Sequence, residues 1–331
     1  MFSDDIILKI KKLFDDNYSN STFEFFEASE NKIIPVDSKT ISVNGKFDLS
    51  FTECKKILLF NDDKIQLFFN ILKERNKDDM VSMTSILKEV DKLDEFKERK
   101  KNINKCYPSL QLFHGDCREH LKNIDSGIVD LVLTDPPYGI DFKPSRSKED
   151  GHSWEEKETD QFYFKLLDDV CKELVRVCKQ DAHIYMFTGW RAIDIFKITL
   201  EKYFDISNIL VFVKNNHSLV DFSKRYSLKY ENIFYCKQKG NSDRSLTNNI
   251  SHDVLEFNRV NKPIHSCQKP VELLKYLINN STVEEEIVLD PFCGSHSCGE
   301  AALKLNRKFI GMELEEKFHE YGKDHLKKFI K

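Results

Sequence analysis

The sequence predicts an α/β protein: a doubly wound, mostly parallel sheet of seven strands, preceded by a smaller and mainly helical N-terminal domain. Three observations carry this. From residue 106 onward, short apolar runs of strand length alternate with amphipathic runs of helix length, as in a parallel sheet covered by helices on both faces. Four of the strand-like runs end in acid, Gly or Pro residues, which would gather polar groups at one edge of such a sheet. The composition supports a core: 331 residues, 40% hydrophobic and 32% charged, enough for about two domains.

Residues 1–105 differ from the rest. They hold 19 basic side chains against 20 acidic, with apolar clusters at Ile57-Leu58-Leu59-Phe60 and Ile65-Gln66-Leu67-Phe68-Phe69. From Ser82 to about Lys105 the chain reads as a charged helix, capped by Ser85, with Ile86, Val90, Leu93 and Phe96 as one apolar stripe. That is the pattern of a solvated linker helix, and it is too short to assert a coiled-coil seam. The role of this domain is left open between dimerisation, ligand contact and scaffolding.

The second domain, 106–331, runs in order. Leu110–Phe113 is a strand ending in His114-Gly115-Asp116, and Arg118–Asn123 is helical. Val129–Thr134 is a buried-type strand, Phe162–Lys179 an amphipathic helix, Ala182–Phe187 a strand and Ala192–Tyr203 a helix. Ile206–Val213 and Tyr230–Cys236 are strands flanking an irregular stretch. Val271–Asn279 is a helix, Glu286–Leu289 a strand, Gly299–Leu305 a helix, Lys308–Met312 a strand and Leu314–Ile330 the last helix.

Composition excludes several classes. The net charge of −4 rules out a polybasic coat, so any nucleic-acid site must be a local patch. No apolar run approaches the length of a membrane span. The N-terminus places acids before its apolar stretch, unlike a secretory leader. The nine cysteines include no C-x-x-C pair, so a zinc ribbon or redox motif is not indicated, and reduced cytoplasmic thiols are expected. His114, His152 and His265 lack ligand spacing, and no metal is expected.

Asp135-Pro136-Pro137-Tyr138 follows the apolar Leu131-Val132-Leu133. Two prolines remove two N–H donors and fix two φ angles, giving a stiff segment with free carbonyls. With Asp135 they present several acceptors to one amino group, and Tyr138 adds a flat face worth about 1–3 kcal/mol per stacked base. Asp290-Pro291-Phe292-Cys293-Gly294-Ser295 leads from a strand into a helix, a nucleotide-type loop without the phosphate-loop signature. Glu313 ends the next strand, 23 residues beyond Asp290, where an acid is placed for ribose hydroxyls.

These segments resemble the beta group of amino-methylating DNA methyltransferases, which use S-adenosylmethionine. The resemblance rests on LFHGDCREHL (112–121), DLVLTDPPYGIDF (130–142), HSCQKPVELLKYLI (265–278), VLDPFCGSHSCGEAAL (288–303) and FIGMELEEKFHEYGKDHL (309–326). Their order, with the catalytic tetrad before the cofactor loop, is that of the group's permuted sheet. The resemblance implies that Asp135 and the Pro136 carbonyl accept from an adenine N6 amine and that Tyr138 stacks on the flipped base. It implies that Asp290, Phe292, Gly294 and Ser295 line the cofactor's methionine side, that Glu313 holds the ribose and that Asp116 lies near the cofactor's adenine. Lys269 and Pro270 match the segment that closes over the cofactor. An Asp at the head of the tetrad favours adenine over cytosine N4.

One departure stands out. Where the family commonly has Gly-Ser-Gly-Thr-Thr, this chain has Gly294-Ser295-His296-Ser297-Cys298. His296 replaces a glycine where close backbone approach is expected. This leaves a DNA-binding homologue with impaired catalysis as one alternative; the other is a cytosine-N4 enzyme, since an Asp-headed tetrad has exceptions.

The expected activity is site-specific methylation of double-stranded DNA in the cytoplasm, at the nucleoid. A target amine inside the duplex requires base flipping. Target recognition is expected in about 214–229, from Lys214, Lys224, Arg225 and Lys229, and in 237–265, which adds Lys239, Arg244, Arg259 and Lys262. The polar stretch 142–154 is a candidate mobile lid or DNA-contacting loop.

Overall fold

The structure is a computed structural model that describes residues 9–10, 12–14, 23–25, 40–43, 47–75, 82–101, 107–137, 160–216, 226–240, 244–247, 251–265 and 267–330. The chain forms two compact units, Met1–Lys101 and Asn102–Lys331.

The first unit carries an antiparallel sheet of β1 (Phe23–Phe25), β2 (Thr40–Val43) and β3 (Phe47–Ser50), beside helices α1 (Phe51–Leu58), α2 (Asp62–Arg75) and α3 (Met83–Lys101). The small sheet was not foreseen from the sequence. Ser50 ends β3 and starts α1 by a reciprocal cap, its hydroxyl accepting from the Glu53 N–H while the Glu53 carboxylate accepts from the Ser50 N–H. The apolar cluster at 65–69 lies on α2, and Phe14, Phe68 and Phe69 meet edge to face in the core. Ser82 caps α3, accepting from the Ser85 N–H at 3.3 Å; Ser85 does not. Ile86, Leu87 and Val90 of α3 are buried in the same core, so the helix packs rather than serving as a solvated linker.

The second unit contains β4 (Leu110–His114), α4 (Cys117–Leu121), β5 (Val129–Thr134), α5 (Asp160–Val177), β6 (Cys178–Thr188), α6 (Ile193–Tyr203) and β7 (Phe204–Lys214). It continues through β8 (Tyr230–Gln238), β9 (Val254–Phe257), α7 (Val271–Ser281), β10 (Ile287–Asp290), α8 (Ser297–Lys304), β11 (Lys308–Glu313) and α9 (Glu316–Leu326). One sheet of eight strands runs in the order β4-β11-β10-β5-β6-β8-β7-β9. From β4 to β6 all neighbours are parallel, β8 is antiparallel to β6 and β7, and β9 pairs parallel with β7.

The α/β class therefore stands, with one strand more than the seven expected. The addition is the edge strand β9, whose Val254-Leu255-Glu256-Phe257 is too short to stand out by pattern. Strand β6 also starts earlier than Ala182, because its pairing with β5 shifts register between Val129 and Leu131 and takes Cys178 into the sheet.

Alternation along the strands divides the core. Val132, Ile184, Met186, Phe234 and Leu289 pack with α4, α5 and α6 on one face. Leu131, Leu133, Tyr185, Phe187, Ile233 and Val288 pack with α7 and α8 on the other. Between β5 and β10 the chain departs in opposite directions, β5 towards β6 and β10 towards β11. This is the switch point, and in open α/β sheets ligands bind outside the carboxyl ends of the strands there.

Candidate active site

Strand β5 is buried along its whole length and ends at Thr134, so it delivers Asp135-Pro136-Pro137 rigidly to the switch point. Next to it, β10 ends at Asp290. The two are tied together: the Thr134 hydroxyl donates to Asp290 Oδ1 at 2.7 Å, and the Phe292 N–H donates to the same oxygen at 3.1 Å. Burial pushes the Asp290 carboxyl up to about 7, while those two donors oppose the shift. The segment after β5 and the loop after β10 are thus joined by one buried carboxyl group.

Glu313 ends β11, the next strand over. Its Oε2 accepts from the Gly294 N–H at 2.6 Å and its Oε1 from the Glu315 N–H at 2.8 Å. Burial raises the Glu313 carboxyl above its usual range. Gly294 has φ +48, and its bare α-carbon faces the His265 ring, which would lie 3.4 Å from a Cβ there. Ser295 is buried, its hydroxyl 3.0 Å from that of Ser297 at the start of α8.

His296 does not point into this loop. It takes the left-handed conformation (φ 59) that a glycine would favour, and its fully buried ring turns back beneath α9, with Nε2 2.9 Å from the Phe318 carbonyl. Room for the ring comes from Gly322, whose missing Cβ would overlap it. Cys298 is also buried, its thiol directed to the Leu133 carbonyl at 3.4 Å. The departure from Gly-Ser-Gly-Thr-Thr is therefore absorbed inward, with both side chains buried away from Gly294.

Lys269, just ahead of α7, reaches the same centre. Its ammonium forms an ion pair with Asp135 and lies 3.2 Å from Glu231 Oε2 and 4.9 Å from the centroid of the Phe187 ring. Glu231 in turn pairs with Lys214 at 2.7 Å. Burial alone would push the Glu231 carboxyl up; the Lys269 and Lys214 charges outweigh it and hold the group at about 2. Burial likewise works against the Lys269 charge, and Asp135 and Glu231 more than compensate.

The other expected site residues fall in several places. Pro136 and Pro270 are buried, and Pro270 sits at the N-cap of α7. Phe292 is partly buried against the core. Asp116 caps α4, and its carboxylate is engaged by Arg118 (2.5 Å), which holds it below the usual range. Lys214 pairs with Glu231 rather than standing free in solvent. Lys229 closes the root of the 215–229 segment, its carbonyl accepting from the Lys214 N–H at 2.9 Å. Tyr138, Lys224, Arg225 and the stretch 142–154 lie outside the described residues.

Arg244 is a correction. Instead of facing DNA, its guanidinium is buried among Asp130 (3.1 Å), Glu286 (3.1 Å) and Asp181 (3.0 Å), and donates to the Ser281 carbonyl. Asp130 lies near the start of β5, so this cluster is remote from the carboxyl ends that carry Asp135 and Asp290. Thr134, Phe187 and Glu231 are functional candidates that sequence reasoning missed. Thr134 directly precedes the tetrad and was readable as its neighbour; Glu231 acts across strands and left no local signal.

The N6/N4 DNA methylase family model matches residues 129–324. A protein of Escherichia coli strain K12 named as a methylase, YubD, is 33% identical over 217 residues, covering 65% of this chain and 89% of its own. The DNA adenine methyltransferase YhdJ of the same strain is 28% identical, covering 64% and 80%. The crystal structure of the M1.HpyAVI–SAM complex superposes with a TM-score of 0.50 at 25% identity, covering 65% of this chain and 99% of that one. The cytosine-N4-specific PvuII methyltransferase, at 16% identity and a TM-score of 0.53, shares the fold.

The residues fit S-adenosylmethionine, the family's cofactor. Gly294 offers bare backbone beside two buried carboxyl groups, Asp290 and Glu313, a set suited to hydroxyls and to a cationic ligand. By the match over residues 129–324 and by its fold, the chain belongs to the N6/N4 family of DNA methylases.

Proposed function

We propose that the protein is a site-specific DNA methyltransferase that modifies the N6 amine of a flipped-out adenine in double-stranded DNA. The observation that carries this is the placement of Asp135, with Pro136 behind it, at the switch point beside Asp290. The adenine specificity named for YhdJ points the same way.

The cofactor supplies an activated methyl group. Asp135 accepts one N–H of the target amine and the Pro136 carbonyl the other, which draws the nitrogen lone pair out of conjugation with the ring. Positioning and electrostatics then carry the reaction, without a protein nucleophile. On accepting the methyl group the amine would shed one proton, for which Asp135 is the adjacent base. Asp290 and Glu313 hold the cofactor, and Thr134 fixes the catalytic loop relative to it. The segments about 214–229 and 237–265 approach DNA, minus Arg244.

The test is nucleoside analysis and methylation-sensitive sequencing of DNA from cells expressing the protein. N6-methyladenine at one short sequence is expected, and N4-methylcytosine would refute the base assignment. Asp135→Ala is expected to abolish transfer while DNA binding stays measurable; undiminished transfer would refute the site.

A further inference from the structure

The Lys269 ammonium sits on the carboxylate that must accept the target amine. It presents N–H donors to Asp135, as the incoming base has to do. A second acceptor waits beside it. Glu231 Oε2 is buried and 3.2 Å from Lys269 Nζ, yet it accepts no well-aligned hydrogen bond. The other carboxylate oxygen of Glu231 is held by Lys214 at 2.7 Å, so Oε2 is fixed in its direction. The Phe187 ring, 4.9 Å from Nζ, adds a face that tolerates the cation in more than one position. The backbone beneath is anchored, because Pro270 begins α7, while the four-carbon lysine stem is flexible.

We propose that Lys269 is a placeholder for the target amine, paired with Asp135 in the DNA-free protein and displaced onto Glu231 when the base enters. This rests on the reading of Asp135 as the acceptor of the target amine. A base without an exocyclic amine cannot replace the lysine's hydrogen bonds, so the exchange favours amino bases and disfavours an empty or wrongly filled site. Lys269 is thereby a positioning and specificity residue, and Glu231, with Lys214 behind it, is the resting place that makes displacement affordable.

The test is a double-substitution cycle on the full chain, with tritiated S-adenosylmethionine and plasmid DNA from a host lacking adenine methylation. Glu231→Gln leaves the displaced lysine without a charged partner. It is expected to lower kcat/KM for DNA about tenfold in the native background, and less than twofold in Lys269→Met. Equal losses in the two backgrounds would overturn the proposal. Lys269→Gln serves as the background if Lys269→Met does not fold. Lys269→Arg supplies a further reading: its planar fork grips Asp135 in two places, so it should be slower than Lys269→Met. Rescue by arginine would mark a merely structural charge and overturn the proposal.

Calorimetry with S-adenosylmethionine, which needs no turnover, should leave Glu231→Gln within about threefold of the native protein. A loss of tenfold or more there would show that the pair acts on the cofactor and overturn the proposal. Nucleoside digests of the same reactions keep the two readings apart. N4-methylcytosine as product refutes the adenine assignment, while the cycle still decides whether an amine displaces Lys269.

Discussion

The ring of His296 occupies the space where Gly322 lacks a side chain. The two residues are linked by geometry across 26 positions of sequence, one at the head of α8 and one within α9. Gly322→Ala should therefore be destabilising by about 1–3 kcal/mol, the usual cost of overpacking a rigid core. His296→Gly should recover part of the loss in the double variant, because it removes the ring and relieves a left-handed backbone. Urea denaturation of the four proteins checks this; strictly additive losses would contradict it.

The same ring predicts a pH dependence. Burial holds His296 neutral, with its pKa lowered to about 4 from the usual histidine value of about 6.5. The unfolded chain binds the proton more readily, so this contribution is fully present above pH 6.5 and is lost as pH falls towards 4. Its size is about 3 kcal/mol. Stability measured across that window should fall with acid, and His296→Gly should flatten the slope.

Asp290 should make cofactor binding pH-dependent near neutrality, well above the range in which an ordinary surface acid titrates. Its carboxyl is protonated up to about 7. A cationic ligand favours the ionised form, so S-adenosylmethionine should bind more tightly as pH rises through 7, by up to about tenfold per unit below that point. Calorimetry in buffers of different ionisation enthalpy would register the released proton. Thr134→Val removes the hydroxyl that lowers this pKa and should shift the midpoint upward.

Arg244→Met should cost about 3–5 kcal/mol, because it strands the buried carboxylates of Asp130 and Glu286. It should leave the salt dependence of DNA binding unchanged, since no phosphate contact is lost. A shallower slope of log K against log salt would restore Arg244 to the DNA surface.

The position of the candidate site was legible where it rests on consecutive residues. Asp135-Pro136-Pro137 and Asp290-Pro291-Phe292 announce themselves because a strand, a stiff turn and an acid occur together. The ion chain of Asp135, Lys269, Glu231 and Lys214 was not legible. Lys269 and Asp135 are 134 positions apart, and only the sheet order brings their elements together. Arg244 misled for a related reason. A lone arginine among polar loop residues carries no mark of the three acids waiting in the fold. His296 looked like damage to the loop after β10 because the compensating Gly322 belongs to another helix.

The hydrogen bond from the Lys214 N–H to the Lys229 carbonyl has a consequence for the evolution of this enzyme. It joins the two ends of the segment between β7 and β8 next to the strands. Lengthening a segment whose ends already meet costs only about 0.6 kcal/mol per doubling. On the proposed reading of this segment as a DNA-contacting element, it can be exchanged at this root while the sheet below is kept, so that relatives diverge in the words they mark and share one chemistry.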